Sequence, residues 1–466
     1  MNAKGYEMRR VALGESAPEP EEPRKQPLRY RIAAIAFWVV LATAGVVSFV
    51  AENPEISDIE NRPLENQPEF SISSLASGQW ASDFSVYYSD TFPVRERMIE
   101  TAAFFRGLRG LRGDDDVVIR MDAGASEGKD GNLPEEIANI AEAGMIFGRL
   151  IKDGEIPAPR ETKPLPDTDG ERRGGVLMVG DTVLELYGFN KGTNALYAEI
   201  VGEFSEEHKD TILTNVLVAP TNVEFKIPER YRDMTSSQYE AISFIYNLLP
   251  ESVNRVWVYN VLAAHSDEDI YFRTDHHWTG LGAYYAYREF AKTRGFSVAP
   301  LSDYEEVRHE GFLGSLYKSM GGNSVLKENP DYLIAYRPKI AYTMTGYHGS
   351  DMSGAISMHF AQDPQEVPAT NKYLAYSGGD LPYVHIVTEN KNGRKLVVFK
   401  ESFANAMLPF LAENYEEIHV VDFRYYKGDI EAFLSERAVN EALFLNYAPA
   451  AGSSTQVERL RVLFGV

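Results

Sequence analysis

Short apolar runs alternate with helical patterns between residues 175 and 447, and this alternation restricts the fold more than any other feature. Apolar runs of about four to eight residues bounded by turn residues predict strands, whereas apolar positions three and four residues apart predict helices. The predicted strands are 176–180, 212–219, 256–261, 395–399, 418–422 and 442–446, and the predicted helices are 194–204, 237–249, 279–294, 404–413 and 429–439. We therefore expect an α/β domain in which helices flank a mostly parallel sheet.

The predicted α/β domain covers residues 175–466 and contains one departure from the alternation. Residues 300–390 scatter Gly, Tyr and Met among short strand-like pieces, and we interpret them as an irregular insertion near the active face. Residues 112–174 are rich in Gly, Asp, Glu, Pro and Lys, which predicts a linker or insertion. Residues 52–111 carry aromatic residues at helical spacing and predict a helical lead-in, interrupted at Pro93.

An uncharged run at residues 32–51 has about the length needed to cross a bilayer as a transmembrane helix. Basic residues precede it and acidic residues follow it, so the positive-inside rule places residues 1–31 in the cytoplasm as a flexible tail. A cleaved signal peptide is the competing interpretation, but the run is long for one and lies behind a charged leader. We expect a single-pass protein of the cell membrane with an extracytoplasmic catalytic domain.

Composition excludes several classes of site and partner. The formal net charge of the 466 residues is −22 at pH 7, whereas nucleic-acid binding needs a basic face, so no nucleic-acid partner is expected. The chain contains no cysteine, which excludes disulfides, thiolate metal sites and cysteine nucleophiles.

Residues 272–280, Phe-Arg-Thr-Asp-His-His-Trp-Thr-Gly, lie where predicted β structure gives way to the predicted helix 279–294. Such junctions carry chemistry in α/β proteins because the rigid sheet holds the loop residues in position. In an extended backbone Asp275 and His277 would share one face, with His276 on the other. A carboxylate beside an imidazole fixes its tautomer and stabilises the imidazolium, so this pair suits a general base and its orienting group.

Ser402 is the candidate nucleophile, because it follows the predicted strand 395–399 and precedes the predicted helix 404–413. Such a turn exposes the hydroxyl and directs backbone N–H groups toward an oxyanion. Helix capping is the ordinary alternative for a serine at this position. Pairing with Asp275 and His277 at another predicted strand end favours the catalytic role.

A metal site built from Asp275, His276 and His277 is the rival interpretation of the motif. Because an extended backbone would point these side chains to opposite faces, we expect no metal, and no cofactor is expected either. His276 is then a structural or pocket-wall residue. Trp278 is predicted to pack under the loop, with carbohydrate stacking as the alternative. Three tyrosines of residues 300–390 either line a sugar groove or belong to the ordinary surface or core: Tyr317, Tyr347 and Tyr376.

The segment Thr-Asp-His-His-Trp at residues 274–278 resembles the signature of the DHHW protein family. It is also similar to the Asp-x-His-Trp motif of the exported alginate O-acetyltransferases, which have SGNH-hydrolase-like domains. The resemblance covers about residues 57–110 and 175–447. The supporting pieces are Glu-Asn-Arg-Pro-Leu at 60–64, Gly-Gly-Asp at 378–380, Lys-Glu-Ser-Phe-Ala-Asn at 400–405, Pro-Phe-Leu at 409–411 and Val-Val-Asp-Phe-Arg-Tyr at 420–425.

The resemblance implies an SGNH-hydrolase-like (flavodoxin-like) domain with Asp275 as the orienting residue, His277 as the base and Ser402 as the nucleophile. The sequence departs from the pattern at the serine, which stands in Lys-Glu-Ser instead of a Gly-Thr-Ser-like or Gly-Asp-Ser turn. The oxyanion-hole glycine and asparagine have no unambiguous match. By position, the candidates for the oxyanion hole and for substrate contacts are Gly180, Asn222, Asn405, Trp278 and Tyr317.

The implied function is acyl transfer through a serine ester, as an O-acetyltransferase or acetylesterase that acts on cell-surface polysaccharide. The resemblance also implies a membrane partner that hands the acetyl group across the bilayer. The alternative is a non-catalytic surface protein that binds a glycan or a partner through the same cleft. A His277–Ser402 distance within hydrogen-bond reach favours the enzyme, whereas a separation beyond about 4–5 Å favours the binding protein.

Overall fold

The computed structural model describes residues 156–367 and 371–466, together with two short strands and five single helical residues nearer the N-terminus. Those strands are β1 (Ile56–Ser57) and β2 (Arg62–Pro63), which pair antiparallel. In the described part of the chain, no helix is long and apolar enough to cross a membrane. The predicted tail, the predicted span and most of the predicted lead-in and linker lie outside the described residues.

Thirteen further strands and eleven α-helices follow in the described residues. The strands are β3 (Gly170–Arg173), β4 (Val176–Val179), β5 (Thr182–Glu185), β6 (Leu213–Ala219), β7 (Val253–Arg255), β8 (Glu305–Phe312), β9 (Asp331–Arg337), β10 (Tyr342–Tyr347), β11 (Ala355–Met358), β12 (Tyr383–Thr388), β13 (Lys395–Lys400), β14 (Glu417–Asp422) and β15 (Glu441–Tyr447). The α-helices are α1 (Lys191–His208), α2 (Asn222–Lys226), α3 (Gln238–Leu248), α4 (Tyr259–Ala264), α5 (Gly280–Arg294), α6 (Ser315–Ser319), α7 (Ser324–Glu328), α8 (Leu408–Leu411), α9 (Ile430–Glu436), α10 (Ala448–Ala451) and α11 (Ser454–Phe464). Four short 3₁₀ helices lie at Glu229–Met234, Leu301–Asp303, Lys372–Tyr376 and Ser402–Ala406.

Eight of the strands form one sheet in the order β11-β10-β12-β14-β13-β15-β6-β7. The five strands from β14 to β7 are parallel, whereas β12, β10 and β11 extend the sheet antiparallel beyond β14. The α/β class is therefore as predicted, and the expected parallel strands make up five of the eight, but the sheet as a whole is mixed. The reason lies in the connections: seven residues join β10 to β11, and a parallel pair needs a crossover of about a dozen or more.

Helices cover both faces of the sheet. Phe204 of α1 packs edge-to-face against Phe399 of β13 and Phe444 of β15. Arg294 of α5 instead pairs with Glu441, which points to the opposite face because it lies an odd number of positions, three, before Phe444 on the same strand. Burial on both faces explains why β13, β14 and β15 are almost entirely buried, as central parallel strands are.

Two smaller antiparallel sheets accompany the main sheet, formed by β3-β4-β5 and by β8-β9. The predicted strand 176–180 corresponds to β4 and so lies outside the main sheet. Its partner β3 ends at Arg173, so the predicted domain boundary at residue 174/175 falls within one hydrogen-bonded hairpin. The segment 300–390 contains β8 to β12, and its last three strands are the antiparallel part of the main sheet.

Two other predicted elements differ in kind or extent. The predicted strand 256–261 is replaced by the short edge strand β7 just before it and by α4, which starts at Tyr259. An apolar run of this length is compatible with a strand and with a buried helical turn, so the sequence pattern alone does not distinguish them. The predicted helix 404–413 is divided into a 3₁₀ helix and α8, where Pro409 fits the first turn because that position needs no intrahelical N–H donor.

Candidate active site

The loop that holds the Asp-His-His-Trp segment is closed at its base and anchored by a buried carboxylate. Tyr271 and Trp278 form an antiparallel bridge, and the Thr279 N–H donates to the Ile270 carbonyl at 2.9 Å. Asp331, at the start of β9, accepts from the Thr274 N–H at 2.8 Å and from the Thr274 hydroxyl at 2.7 Å. These contacts fix the backbone on both sides of Asp275.

The predicted separation of the two histidines on opposite faces was wrong. The His277 N–H donates to Asp275 Oδ1 at 3.0 Å, which bends the backbone into an Asx turn instead of leaving it extended. The imidazole rings of His276 and His277 consequently lie side by side, with 3.8 Å between their centroids. Donor atoms of Asp275 and both histidines therefore lie within 4.8 Å of one another, although His277 uses both of its ring nitrogens in the contacts described below.

Asp275 orients His277 through a short hydrogen bond. Its Oδ1 lies 2.5 Å from His277 Nδ1, and its Oδ2 accepts from the Ser315 N–H at 2.7 Å. Burial alone would raise the pKa of the Asp275 carboxyl, but the neighbouring histidines and these hydrogen bonds hold it well below its usual range. The backbone of Gly314 approaches so closely that a Cβ there would collide with the Asp275 carboxylate.

His277 connects Asp275 to Ser402 across 125 positions of the chain. Its Nε2 lies 2.9 Å from Ser402 Oγ. The ring stacks on Tyr373, with 3.9 Å between centroids and 20° between planes, and this stacking fixes its orientation. The Tyr373 hydroxyl donates to the Ser402 carbonyl at 3.0 Å, so one tyrosine positions both partners.

Ser402 follows β13 and opens the 3₁₀ helix, but it does not cap that helix. Glu401 performs the capping, because its Oε2 accepts from the Phe403 N–H at 2.8 Å. Its other oxygen accepts from the Tyr447 N–H at 3.1 Å, which ties the turn to the end of β15. The Ser402 hydroxyl is thus left to His277, contrary to the capping alternative.

A buried ionic network lies behind the serine turn. Lys400 Nζ contacts Asp380 Oδ1 at 2.6 Å and Asp422 Oδ2 at 3.1 Å. Arg424 pairs with the same two carboxylates, at 2.8 Å and 2.7 Å. Two cations therefore balance two anions at the carboxyl ends of β13 and β14, and the network holds the backbone from which Ser402 projects.

The three candidates for the oxyanion hole have three different environments. Gly180 is exposed in the turn between β4 and β5, with a φ of 63° that suits glycine. Asn222 is buried, and its Nδ2 donates to the carbonyls of Val183 at 3.1 Å and Phe272 at 3.4 Å. Asn405 belongs to the ionic network, because its Nδ2 donates to Asp380 at 2.8 Å. Asn222 Nδ2 therefore donates to two carbonyls and Asn405 Nδ2 to one carboxylate, none of them at Ser402.

The aromatic candidates separate into structural and peripheral residues. Trp278 is fully buried, and its Nε1 donates to the Phe403 carbonyl at 2.8 Å, which matches core packing under the loop and excludes stacking on a substrate. Tyr376 is also buried and packs edge-on against Tyr373. Tyr317 is half-buried on α6 beside the small β3-β4-β5 sheet. Tyr347 stacks on Tyr383 within the antiparallel part of the main sheet.

His276 and Glu185 are two further ionisable residues beside the triad. His276 Nδ1 lies 2.8 Å from the Ser315 hydroxyl, and burial lowers the pKa of its imidazole to about 4. Burial raises the pKa of the Glu185 carboxyl, an effect that the His276 charge partly offsets. Glu185 Oε2 is buried with no hydrogen-bond partner among the described residues.

Four residues of the site escaped the sequence-based prediction, and only one had a local signal. Glu401 directly precedes the candidate serine, and an acidic residue before a helical turn is typical of a capping role. Tyr373, Ser315 and Glu185 reach the triad from elements that lie 29 to 217 positions from Ser402 along the chain. Nothing in their own neighbourhoods distinguishes them.

The arrangement can perform nucleophilic catalysis by proton transfer. A hydroxyl, an imidazole and a carboxylate are linked in series at 2.9 Å and 2.5 Å, and the carboxylate is held in its charged form. The His277–Ser402 distance falls within hydrogen-bond reach, which was the condition that favours the enzyme over the binding protein.

Comparisons with known proteins identify the family of this chain. The family model described as DHHW protein matches residues 161–421, which is more than half of the chain. A sequence search of curated proteins gave no match. The crystal structure of a DHHW family protein from Eubacterium siraeum is 34% identical over 63% of this chain and 97% of its own, with a TM-score of 0.59.

Two more distant structures were also found. Bacillus cereus PatB1 with a sulfonyl adduct is 19% identical over 61% of this chain and 99% of its own, with a TM-score of 0.48. The O-acetyltransferase domain of Pseudomonas putida AlgJ is 12% identical over 65% of this chain and 99% of its own, with a TM-score of 0.32. Both TM-scores are below 0.5, so neither structure assigns a property to this chain. The family match, by contrast, is sufficient: the chain belongs to the DHHW protein family.

Proposed function

We propose that this protein is a serine acyl-transfer enzyme in which Ser402 is the nucleophile, His277 the general base and Asp275 the orienting residue. One observation carries the proposal: His277 lies between Ser402 Oγ at 2.9 Å and Asp275 Oδ1 at 2.5 Å. A structural histidine would need only one of these contacts. Activation of a serine nucleophile requires both contacts, one from the histidine to the serine and one from the carboxylate to the histidine.

In the first half-reaction, His277 Nε2 takes the proton from Ser402 Oγ as this oxygen attacks the carbonyl carbon of an ester. The tetrahedral intermediate then expels the alcohol, whose oxygen receives the same proton from His277. The product is an acyl ester on Ser402. Asp275 stays ionised throughout and stabilises the imidazolium, in agreement with the direction of its pKa shift.

In the second half-reaction, a water molecule or a sugar hydroxyl occupies the place of the departed alcohol. His277 removes its proton while its oxygen attacks the acyl carbon, and Ser402 leaves with that proton. Water as the acceptor makes the protein an esterase, whereas a sugar hydroxyl makes it a transferase. The chemistry of the triad is the same in both cases.

The direct test is release of p-nitrophenol from p-nitrophenyl acetate by the purified full chain and its variants. Ser402→Ala should reduce kcat/KM at least about 10³-fold, because the nucleophile is lost. Ser205→Ala is a matched control, since it removes a buried hydroxyl that bonds only to Ser252 at 2.9 Å, among the described residues. A wild type as inactive as Ser402→Ala, with both chains folded, would contradict the proposal for this donor.

Intact mass spectrometry distinguishes a protein that cannot form the acyl-enzyme from one that forms it but lacks a suitable acceptor. Incubation with p-nitrophenyl acetate should add one acetyl group, and peptide mapping should locate it on Ser402. The Ser402→Ala variant should stay unmodified. A wild type that acquires no acetyl group and also releases no p-nitrophenol would support the non-catalytic alternative.

We further propose that the natural acyl group is acetyl and that the acceptor is a hydroxyl of a cell-surface polysaccharide. What supports this is the likeness of the segment 274–278 to the motif of alginate O-acetyltransferases, together with an SGNH-hydrolase-like place for Ser402 after a central parallel strand. Residues 32–51 would anchor the protein in the membrane, where an acyl-transfer partner could supply the acetyl group. Transfer of labelled acetyl to isolated cell-surface polysaccharide by membranes, compared with membranes carrying Ser402→Ala, tests the acceptor.

A further inference from the structure

A second group of histidine and carboxylate side chains lies on adjacent strands at the other end of the main sheet. His385 of β12 is directly opposite His419 of β14 in the antiparallel register. Glu417 precedes His419 by two residues on the same strand, so its side chain points to the same face. The three side chains therefore share one patch of the sheet surface, and none of them takes part in the proposed reaction.

The donor atoms of these residues have the separation that a tetrahedral ion requires. Glu417 Oε2 lies 2.9 Å from His385 Nε2 and 3.7 Å from His419 Nε2. All three donor atoms fall within 4.8 Å of one another. Ligand bonds of about 2.0–2.1 Å in tetrahedral geometry place donor atoms about 3.3 Å apart. The two distances from Glu417 Oε2 lie on both sides of that value.

His419 has one ring nitrogen in a hydrogen bond and the other without a hydrogen-bond partner among the described residues. It is completely buried, and its Nδ1 lies 2.9 Å from the Tyr383 hydroxyl. Its Nε2 has no hydrogen-bond partner among the described residues. A histidine with one nitrogen held by a polar partner and the other lone pair unused has the usual arrangement of a metal ligand.

Charged neighbours leave the donor atoms accessible to an ion. Lys395 contacts Glu417 through Oε1 at 2.7 Å, which leaves Oε2 directed toward the two histidines. Arg437 lies over the rings of Phe433 and Tyr383, at 4.3 Å and 5.6 Å. The His385 and Glu417 side chains keep 28% and 21% of their exposure, so water can complete the coordination.

We propose that His385, Glu417 and His419 bind Zn²⁺ or another divalent transition-metal ion. Two imidazoles and one carboxylate suit such ions, whereas Mg²⁺ and Ca²⁺ prefer ligand sets made of oxygen. The ion joins β12 to β14, at the boundary between the antiparallel and parallel parts of the sheet. Its role is to stabilise that boundary, because an ion that binds only the folded chain raises the stability by mass action.

The metal site is separate from the catalytic triad. From Glu417 to Asp422, where β14 meets the ionic network behind Ser402, the chain rises by about 17 Å at 3.3–3.4 Å per residue. The proposal does not depend on the proposed acyl transfer, and the Ser402→Ala variant should bind the ion as the wild type does.

The test is titration of the metal-free full chain with Zn²⁺, followed by calorimetry and by metal analysis after dialysis. We expect one equivalent of bound Zn²⁺ and a rise in the unfolding temperature that Mg²⁺ does not cause. His385→Ala and Glu417→Gln should weaken binding by more than about 100-fold, since they remove ligands, and Tyr383→Phe by about 10-fold, since it removes only an outer partner. His385 is partly exposed, so His385→Ala is not expected to prevent folding.

The matched control is His359→Ala, because His359 is an exposed histidine 3.0 Å from a carboxylate oxygen of Glu366 and has no third donor group beside it in the part of the chain that the structure describes. Its loss should leave the affinity unchanged. No stoichiometric Zn²⁺ binding by the wild type, or equal binding by His385→Ala, Glu417→Gln and the wild type, would overturn the proposal.

Discussion

Two clusters at opposite ends of the same sheet combine histidine with a carboxylate, yet they differ in how many ring nitrogens of the central histidine have a hydrogen-bond partner. In the catalytic cluster, His277 has a partner on both nitrogens, a carboxylate on Nδ1 and a hydroxyl on Nε2. In the strand cluster, His419 has a hydroxyl on Nδ1 and nothing on Nε2 among the described residues. The first arrangement suits the proposed proton transfer along a line of hydrogen bonds, and the second suits the proposed binding of an ion. The same residue type therefore serves different chemistry according to the partner of its second nitrogen.

The elements that carry the clusters explain this difference. The triad is built from loops that follow strands, where the backbone can bend, as the Asx turn at Asp275 does. The strand cluster sits inside a regular ladder, where register alone places His385 opposite His419. Loops assemble groups from distant parts of the chain, whereas a ladder can assemble only residues that are in register.

The largest effects are expected when one histidine of each cluster is replaced and both esterase activity and Zn²⁺ binding are measured. His277→Ala should lower kcat/KM for p-nitrophenyl acetate at least about 10³-fold, because proton removal from Ser402 is lost, while Zn²⁺ binding stays unchanged. His385→Ala should do the reverse. Parallel kinetics and calorimetry on both variants measure this separation. A variant that loses both properties together would contradict the independence of the two sites.

The two lysines at the ends of β13 provide the next comparison. Lys400 is buried between Asp380 and Asp422, so Lys400→Met leaves uncompensated buried charge and should cost about 3–5 kcal/mol of stability. Lys395 is partly exposed beside Glu417, and Lys395→Met should cost less than about 1 kcal/mol. Urea denaturation of both variants measures the difference. Equal losses would show that the network behind Ser402 does not hold the fold.

The pH dependence of stability should distinguish the carboxyls within the catalytic cluster. Burial raises the pKa of Glu401 to about 7, so between pH 4.5 and 7 the folded chain keeps a proton that the unfolded chain releases. Its stabilising contribution is complete below about pH 4.5 and is lost as the pH rises to 7, by on the order of 3 kcal/mol. Asp275 has the opposite sign: its pKa is lowered, so its contribution is present above the unfolded pKa and is lost in acid.

Denaturation of the wild type and of Glu401→Gln at several pH values measures this effect. The free energy of unfolding of the wild type should decline relative to that of Glu401→Gln as the pH rises from 4.5 to 7. Glu240→Gln, at an exposed position of α3, serves as the surface control. A difference between the wild type and Glu401→Gln that does not change over this interval would show that Glu401 is already ionised at the lower end.

A close backbone approach should make the catalytic cluster sensitive to a single methyl group. In Gly314→Ala the new Cβ meets the Asp275 carboxylate, which must move away from His277, and kcat should fall about 100-fold while KM changes little. Gly452→Ala is the matched control, because its Cβ meets no atom closer than 3.5 Å. Restoration of kcat would not be expected at any pH, since the displacement is steric.

The smallest expected effect concerns the tyrosine that positions both partners. Tyr373→Phe keeps the ring on His277 but removes the hydrogen bond to the Ser402 carbonyl, which should cost about 1 kcal/mol of stability and a few-fold in kcat. Tyr284→Phe removes an equivalent hydrogen bond to the Ala299 carbonyl at 3.0 Å, remote from the triad. Its stability should fall by a similar amount while kcat stays unchanged. Equal kcat values in the two variants would mean that the Tyr373 hydroxyl does not position Ser402.

The sequence by itself determined the alternation of strands and helices, the α/β class, the membership of the DHHW family and the three residues of the triad. These features are encoded locally, in apolar periodicity and in short motifs such as residues 274–278 and 400–405. The antiparallel extension of the sheet, the pairing of β12 with β14 and the place of the 300–390 segment were decided by tertiary structure. Strand order depends on connections and on packing between segments far apart in the chain, for which single residues carry no signal.

The same distinction applies to the site. Asp275 and His277 are neighbours in the sequence, so their partnership could be predicted, although the Asx turn that places His276 beside them could not. Only the folded chain brings Ser315, Tyr373 and Glu185 to the triad and commits Asn222 and Asn405 to other partners. A hydrogen bond needs its two atoms within about 3 Å, and for residues distant along the chain that condition is met or missed by the packing of whole elements.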